Sequence, residues 1–228
     1  MGYVMHILRY KDDSITLEGN KIIGYKGWIT CLANLAAQHG NWYFEVHFHT
    51  QFKELQFIGN PLADIPKPAL RVGWACRYQR YDTPLGINNF SIGYSSVDGS
   101  CVRVIRDSYA IPYNPGDIVG CYLHIPNNVS LLPDPRNDHK LYEFLQGGML
   151  CDPQFPPDAE VIPESYVKFS VNGVDQGLAT HDLLNGCYHP AISLFMGAIA
   201  TFNFGPNFKY DPGPEFLPCA NMKPPEIP

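Results

Sequence analysis

The sequence predicts an all-β fold, arranged as an antiparallel β-sandwich. Short apolar or alternating runs, rich in Val, Ile, Phe and Tyr, recur along the chain. Gly, Pro and Asn separate these runs and supply the turns between them. With 228 residues, of which 45% are hydrophobic, the chain is long enough to bury one large core. We therefore expect a single sandwich domain.

Ten runs have the composition of strands, and their spacing is typical of an antiparallel sandwich. In chain order they are SITLEG 14–19, WYFEVHFHT 42–50, LRVGWA 70–75, FSIGYSS 90–96, CVRVI 101–105, DIVGCYLHI 117–125, YVKFSVNG 166–173, GLATHD 177–182, YHPAISLF 188–195 and ATFNFG 200–205. Gly73, Gly93 and Gly120 lie inside three of them, where the missing side chain permits a bend or the close approach of another backbone.

Two segments favour a helix. Residues 31–40, CLANLAAQHG, contain helix formers and end at a glycine, and part of 138–148 is a weaker candidate. The prolines and mixed polarity of 126–165 indicate a long insertion between two strands, and loops of this length are often functional or mobile. From Asp211 onward, prolines remove backbone donors that a ladder or a helix needs. We therefore expect a domain over 1–211 and an irregular tail over 212–228, lying on the domain or leaving it.

Composition limits the environment and the partners. A formal net charge of −6 argues against nucleic acid as the main partner, because such binding depends on clustered Lys and Arg. The seven cysteines have no short repeated spacing, which favours free thiols in a reducing compartment. The sequence shows no apolar run of about 18 residues and no signal peptide, so we expect no membrane span.

The usual signatures of catalysis and of metal binding are missing. The sequence has no G-x-S-x-G, no P-loop, no H-E-x-x-H and no paired C-x-x-C. The spacing of HDLLNGCYH 181–189 fits no common zinc pattern, and His47 and His49 share a sheet face but supply two ligands at best. We expect a binding module that is not an enzyme, with no cofactor and no metal.

An ordered series of motifs resembles a known family. NWYFEV, RVGWA, PLGINNFSIGYSS, GDIVGCYL, VKFSVNG, YHPAISLF and ATFNFGPNFKY follow one another along the chain. Together they resemble the SPRY domain, and most closely the SPRY domain of the Ash-two (absent, small or homeotic discs two) family, over about residues 10–211. The resemblance implies a bent, concanavalin-like antiparallel sandwich that binds peptides in a pocket rimmed by loops.

The resemblance also implies partners. Ash-two proteins are nuclear subunits of COMPASS-type complexes, which methylate a lysine of histone H3. Their SPRY domain docks an acidic peptide segment of a β-propeller subunit, the retinoblastoma-binding protein, and helps activate the SET-domain methyltransferase subunit. An alternative with the same fold is a substrate-receptor SPRY module of a ubiquitin ligase, which an adjoining RING, B-box or SOCS box would favour.

Three residues match the family's peptide pocket. Arg71 precedes the Gly-Trp motif and matches the pocket arginine, Trp28 stands where the family has a tyrosine, and Pro84 matches the pocket proline. A guanidinium can bind a carboxylate through two parallel hydrogen bonds. Alternatively, the aliphatic stem of Arg71 covers apolar surface at the edge of the sandwich.

Three other pocket positions depart from the family. Ile87 replaces a tyrosine, and Ser95 and Val97 replace an arginine and a lysine. The loss of two cations should weaken binding to an acidic peptide, because each charge-assisted hydrogen bond contributes about 1.5–3 kcal/mol. Nearby arginines are candidates for replacement charge; they are Arg77, Arg80, Arg103 and Arg106.

Overall fold

The computed structural model describes residues 10–52, 67–129, 134–136, 138–152 and 159–222. The predicted insertion and tail therefore lie partly outside the described residues, at 130–133, 137, 153–158 and 223–228. Within this part of the chain none of the helices has the length and apolar character that crossing a membrane requires.

Strands account for nearly all the regular structure. In chain order they are β1 (Ile15–Glu18), β2 (Lys21–Gly24), β3 (Ile29–Leu32), β4 (Gly40–Phe48), β5 (Ala69–Ala75), β6 (Ser91–Ser95), β7 (Ser100–Arg103), β8 (Ile105–Ser108), β9 (Ile118–Ile125), β10 (Val161–Val171), β11 (Val174–Leu184), β12 (His189–Phe195), β13 (Ile199–Asn203) and β14 (Leu217–Pro218). One α-helix, α1 (His139–Gln146), and a short 3-10 helix at Cys219–Asn221 complete the described elements.

The strands form two sheets. The larger sheet has the order β1-β2-β13-β4-β9-β10-β11, with β14 beside β4, and the smaller sheet has the order β3-β12-β5-β6-β7-β8. All pairings are antiparallel except that of β14 with β4. The predicted antiparallel β-sandwich is confirmed.

The core lies between the two sheets because alternate residues of the central strands point inward. Phe44 of β4 meets Trp74 of β5 edge to face, with ring centroids 4.9 Å apart. Leu70 and Val72 of β5 belong to the same buried cluster. Arg71, between Leu70 and Val72 in the strand, therefore points to the outer face of the smaller sheet.

The prediction of a helix over residues 31–40 is wrong. Its first two residues end β3, and the amides of Leu32, Ala33 and Ala37 donate to the carbonyls of Tyr10, Pro190 and Tyr188. Most side chains of 31–37 are buried, so no solvent face is left for an amphipathic helix. Long-range backbone pairing here overrides local helix propensity. The helix expected within 138–148 is confirmed as α1.

The single strand expected at 101–105 is also wrong. The chain reverses at Val104, whose φ is +64°, and Arg103 pairs with Ile105 across the turn between β7 and β8. A β-branched residue rarely adopts positive φ, so composition gave no turn signal at this position. The amide of Val104 donates to the carbonyl of Gly86 at 2.6 Å.

The expectation that no residue after Asp211 joins a ladder is wrong as well. Leu217 and Pro218 pair in parallel with Trp42 and Tyr43 of β4. Nearby side chains are buried against the sheet; they are Phe216, Cys219 and Met222. The described part of the tail therefore lies on the domain.

Candidate peptide-binding site

Four polar side chains form a row across the outer face of the smaller sheet. Thr30 pairs with Ser193, Ser193 with Arg71, and Arg71 with Ser95, in four adjacent strands. Residues in register on neighbouring strands point to the same face, which places these side chains side by side. Thr30 and Ser193 share a hydrogen bond of 2.7 Å between their hydroxyl oxygens.

The segment Thr83–Gly86 covers this row. Its carbonyls and amides bond to the row: Thr30 Oγ1 donates to the Thr83 carbonyl at 2.6 Å, and the Leu85 amide donates to Ser193 Oγ at 2.9 Å. Pro84 is buried within the segment, and its ring fixes φ at that position. The structure thus places Pro84 beside the predicted pocket, as part of its cover.

Arg71 lies at the edge of this cover. Its Nη1 donates to the Leu85 carbonyl at 2.9 Å, and its guanidinium carbon is 5.0 Å from the ring centroid of Trp28. The half-buried Trp28 ring stacks on Phe195, with centroids 5.1 Å apart and an interplanar angle of 27°. Arg71 and Trp28, matched separately to the family's pocket, are therefore neighbours.

The guanidinium of Arg71 is short of acceptors. The residue is only 8% exposed, and its Nε is enclosed without a hydrogen-bond partner. Among the described residues no carboxylate forms an ion pair with it. Burial lowers the pKa of Arg71, and the charge of Arg106 lowers it further. Because a buried charge without a counterion is costly, the site favours an incoming anionic acceptor.

The geometry limits how that acceptor is bound. Nη1 already donates to Leu85 and Nε is enclosed, which leaves Nη2 as the guanidinium nitrogen that an external acceptor reaches. The two parallel hydrogen bonds expected from the sequence would require Leu85 to move. The structure as it stands favours a single strong contact.

The three departing positions differ in accessibility. Ser95 is fully buried, and its Oγ accepts from the amide of Val97 at 3.3 Å. Ser95 therefore lies beside Arg71 but has no exposed surface for a direct peptide contact, which differs from its sequence-based role. Ile87 and Val97 are 53% and 62% exposed, and they lie at the two chain segments that flank Arg71.

The replacement charges expected at Arg77, Arg80 and Arg103 are already engaged. Arg77, beyond the far end of β5, bonds Asp134 at 2.7 Å and Asp152 at 3.0 Å. Burial opposes the charge of Arg77, but the hydrogen bond and charge of Asp134 outweigh burial and raise its pKa. Arg77 thereby ties the insertion to the domain and is not a cation of the Arg71 site.

Arg80 and Arg103 have other partners. Arg80 pairs with the exposed Asp82 at 2.6 Å, so the pair adds no net charge. Arg103 donates from Nη1 to the His181 carbonyl and from Nη2 to the Asp182 carbonyl, both at 3.0 Å, and so joins β7 to β11. Neither arginine supplies the missing charge in this structure.

Arg106 is the nearby cation that electrostatics couples to Arg71. Its Nη1 lies 3.3 Å from Asp98 Oδ2, and both side chains are more than a third exposed. Burial opposes ionisation of Asp98, but hydrogen bonds from Ser100 and Ser95, with the charge of Arg106, lower its pKa. Asp98 and Phe195 are the site residues that sequence reasoning missed; the strand register is the signal that finds Phe195.

The described residues contain no group of three or more His, Cys, Asp or Glu side chains that could hold a metal ion. The rings of His47 and His49 lie 4.3 Å apart on the larger sheet, and His49 Nε2 is 2.7 Å from Thr201 Oγ1. This arrangement provides two possible ligands and no third within the described chain.

Comparison with protein families matches residues 41–129 to the SPRY domain. This match spans β4 to β9 and includes Arg71, Pro84 and the three departing positions. Trp28 lies outside the matched range.

Three curated proteins are similar over most of the chain. The Set1/Ash2 histone methyltransferase complex subunit ash-2 of Caenorhabditis elegans is 27% identical over 86% of this chain and 35% of its own length. The corresponding subunit ASH2 of Drosophila melanogaster is 29% identical over 86% and 34%. The Set1 complex component ash2 of Schizosaccharomyces pombe is 26% identical over 82% and 33%. The chain thus spans about a third of the length of these relatives.

Among solved structures, a human SPRY domain matches with a TM-score of 0.49 at 14% identity, covering 86% of this chain and 98% of that one.

Proposed function

We propose that this chain is a noncatalytic binding module of a COMPASS-type histone H3 lysine methyltransferase complex, because residues 41–129 match the SPRY domain and the chain is similar to Ash2 subunits over most of its length. It acts in the nucleus as a scaffold. It docks an acidic segment of the β-propeller, retinoblastoma-binding subunit and helps hold the SET-domain subunit in its active arrangement.

The observation that carries this proposal is the state of Arg71. Its guanidinium is 8% exposed, lacks a carboxylate partner among the described residues and lies against Trp28 at the border of the Thr83–Gly86 cover. A carboxylate of a docked peptide would supply the missing counterion. This role agrees with the family resemblance, which matches Arg71 to the pocket arginine.

The test is reconstitution of histone H3 methylation with a SET-domain subunit and a β-propeller subunit, with and without this chain. We expect the chain alone to transfer no methyl group and the complete assembly to methylate faster than the assembly without it. An unchanged rate contradicts the proposal.

Arg71→Met is the informative variant in this assembly, because methionine keeps much of the apolar stem and removes the charge. We expect it to lose most of the binding to the β-propeller segment, by about 2–5 kcal/mol, as for truncating a buried charge partner. Arg80→Met is the matched control, since Arg80 is exposed and paired with Asp82. Titration calorimetry with folded variants measures both affinities.

If the stem of Arg71 only covers apolar surface, the outcome is different. Arg71→Met would then keep the affinity of the wild type, and Arg71→Ala would lower thermal stability. That result would refute the role of Arg71 as the docking cation.

A further inference from the structure

A shelf of apolar side chains lies next to the polar row. Ala69, two residues before Arg71 in β5, lies on the same face of the sheet and pairs with Phe195. Trp28 stacks on Phe195. On the other side, the amide of Ser96 donates to the Leu70 carbonyl, which brings Val97 beside the start of β5. Trp28 and Phe195 thus form the apolar shelf on one side of Arg71, and Val97 lies on the other side.

A second exposed apolar group lies across the Thr83–Gly86 cover. Ile87 follows this segment, two residues after the Leu85 carbonyl that accepts from Arg71. The Gly86 carbonyl accepts from the Val104 amide, and the side chains of Val104 and Ile105 are 54% and 68% exposed. Aliphatic surface therefore lies on both sides of the Arg71 guanidinium.

The charges at the site suit one carboxylate better than several. Within the part of the chain that the structure describes, Arg71 is the cation of the site that lacks a carboxylate partner, because Arg106 is paired with Asp98. Asp98 and Arg106 neutralise each other, so this pair offers no free positive charge to a second acidic residue of a ligand. Among the described residues, a run of acidic residues would thus meet one unpaired cation, one neutral ion pair and two aliphatic borders.

We propose that this site selects an extended peptide in which a single Asp or Glu is flanked, two residues away on each side, by aliphatic or aromatic residues. The spacing follows from extended geometry, in which residues i and i±2 point to the same side. The carboxylate meets Arg71, one apolar side chain lies on Trp28 and Phe195, and the other lies against Ile87 or Val97. This inference rests on the proposed function and names the ligand class of the same site.

Synthetic peptides with a fluorescent label test the selection. The probes share Gly-Ser flanks and differ in their centres, which are Val-Ser-Glu-Ser-Val, Glu-Ser-Glu-Ser-Glu and Val-Ser-Gln-Ser-Val. We expect the first to bind the wild-type chain about tenfold or more tightly than the Gln peptide at one ionic strength, since one charge-assisted contact corresponds to at least that factor. It should also bind more tightly than the triply acidic peptide, which has the central Glu but lacks the two apolar side chains. Fluorescence anisotropy measures the three affinities.

The variant Val97→Lys should shift the preference of the site toward the triply acidic peptide. Val97 is 62% exposed, so a lysine fits without burying its charge, whereas an arginine at the fully buried Ser95 would not fit. The added cation should tighten binding of the triply acidic peptide severalfold and increase its salt dependence. Val174→Lys is the matched control, because Val174 is 64% exposed on β11 of the other sheet.

Tighter binding of the triply acidic peptide to the wild type overturns this inference and leaves the proposed function standing. Absence of binding by all three peptides also overturns it, while the reconstituted methylation assay reports on the proposed function independently. Equal effects of Val97→Lys and Val174→Lys would show that Val97 does not border the site.

Discussion

At the scale of single residues, His189 has an environment that makes its ionisation unfavourable. Its ring is 1% exposed, its Nδ1 donates to the Ala33 carbonyl at 2.8 Å, and Tyr10 contacts it edge to face. Burial lowers the pKa of His189 to about 4, and the nearby charges of Asp134 and Arg77 act in opposite directions. His189 is therefore neutral in the folded protein at neutral pH.

This neutral histidine predicts a loss of stability in acid. Its folded pKa lies below the unfolded value near 6.5, so protonation favours the unfolded chain; the stability is fully present above about pH 6.5 and is lost as the pH falls toward 4. At pH 5, protonation linked to His189 should lower the free energy of unfolding by about 1–2 kcal/mol relative to neutral pH. His189→Asn keeps a donor for Ala33 and does not titrate.

Urea unfolding at pH 7.5 and pH 5 checks this prediction. Between pH 7.5 and pH 5 the free energy of unfolding should decrease in both proteins. We expect this decrease to be about 1–2 kcal/mol smaller in His189→Asn than in the wild type. His49 and His124, whose pKa values burial also lowers, contribute equally to both proteins and cancel in the difference. Parallel losses in the two proteins would show that another group causes the acid sensitivity.

The sequence predicted part of the site at this scale. Arg71 and Trp28 were matched to one pocket, and the structure brings them within 5.0 Å. The enclosure of Ser95 was not predictable, because alternation along a strand assigns a face but does not say which loop covers it. The partners of Arg77 and Arg103 depend on chain segments far away in sequence, which local pattern does not reveal.

At the scale of elements, a glycine in β6, Gly93, lets the Thr83–Gly86 cover lie close to the smaller sheet. Gly73 of β5 pairs with Gly93 of β6. A Cβ added at Gly93 would lie 2.8 Å from Leu85 Cβ and 3.1 Å from the Leu85 carbonyl oxygen. Leu85 is the residue that accepts from Arg71, so the small residue at 93 fixes the position of the guanidinium.

Gly93→Ala should therefore affect both stability and binding. Displacement of the covering backbone is expected to cost about 1–3 kcal/mol, as for overpacking elsewhere in proteins. Gly27→Ala is the stability control, because a Cβ there meets nothing within 4 Å. Urea denaturation and titration with the Val-Ser-Glu-Ser-Val peptide measure the two effects, and unchanged values in Gly93→Ala would mean that the cover adapts freely.

The elements themselves were predictable to different degrees. Long alternating runs such as WYFEVHFHT and DIVGCYLHI became β4 and β9 because their inward residues fill the core. The strand β2, of four residues, was missed because its composition is not distinctive, although its partner β1 immediately precedes it. The pairing of Leu217–Pro218 was missed because its partner β4 lies far away in the chain.

At the scale of the whole molecule, polar contacts join the edges of the two sheets. Arg103 of the smaller sheet donates to carbonyls of β11 in the larger sheet, and Tyr109 OH donates to the Gly177 carbonyl at 2.7 Å. These contacts close one end of the sandwich and explain why Arg103 cannot serve the peptide site. The aromatic and aliphatic core forms the rest of the interface between the sheets.

The distribution of thiols across this sandwich leads to the last prediction. The seven cysteines are free, as their irregular spacing predicts. Five are buried, Cys187 is partly covered, and Cys151 is exposed in the insertion. Burial raises the pKa of Cys76 and of Cys101 to about 12, and it also raises the pKa of Cys187. Because the thiolate is the form that reacts, these groups should be slow toward alkylation in the folded state.

Iodoacetamide at neutral pH should therefore add one group rapidly to the native protein, at Cys151, and seven groups after denaturation without a reductant. Intact-mass measurement counts the adducts, and Cys151→Ser should abolish the rapid one while leaving six on denaturation. Fewer than seven adducts in the denatured wild type would reveal a disulfide. Rapid native labelling of a buried cysteine would mean that the sandwich opens on the timescale of the reaction, because a thiol packed between the sheets reacts only when its element separates from the core.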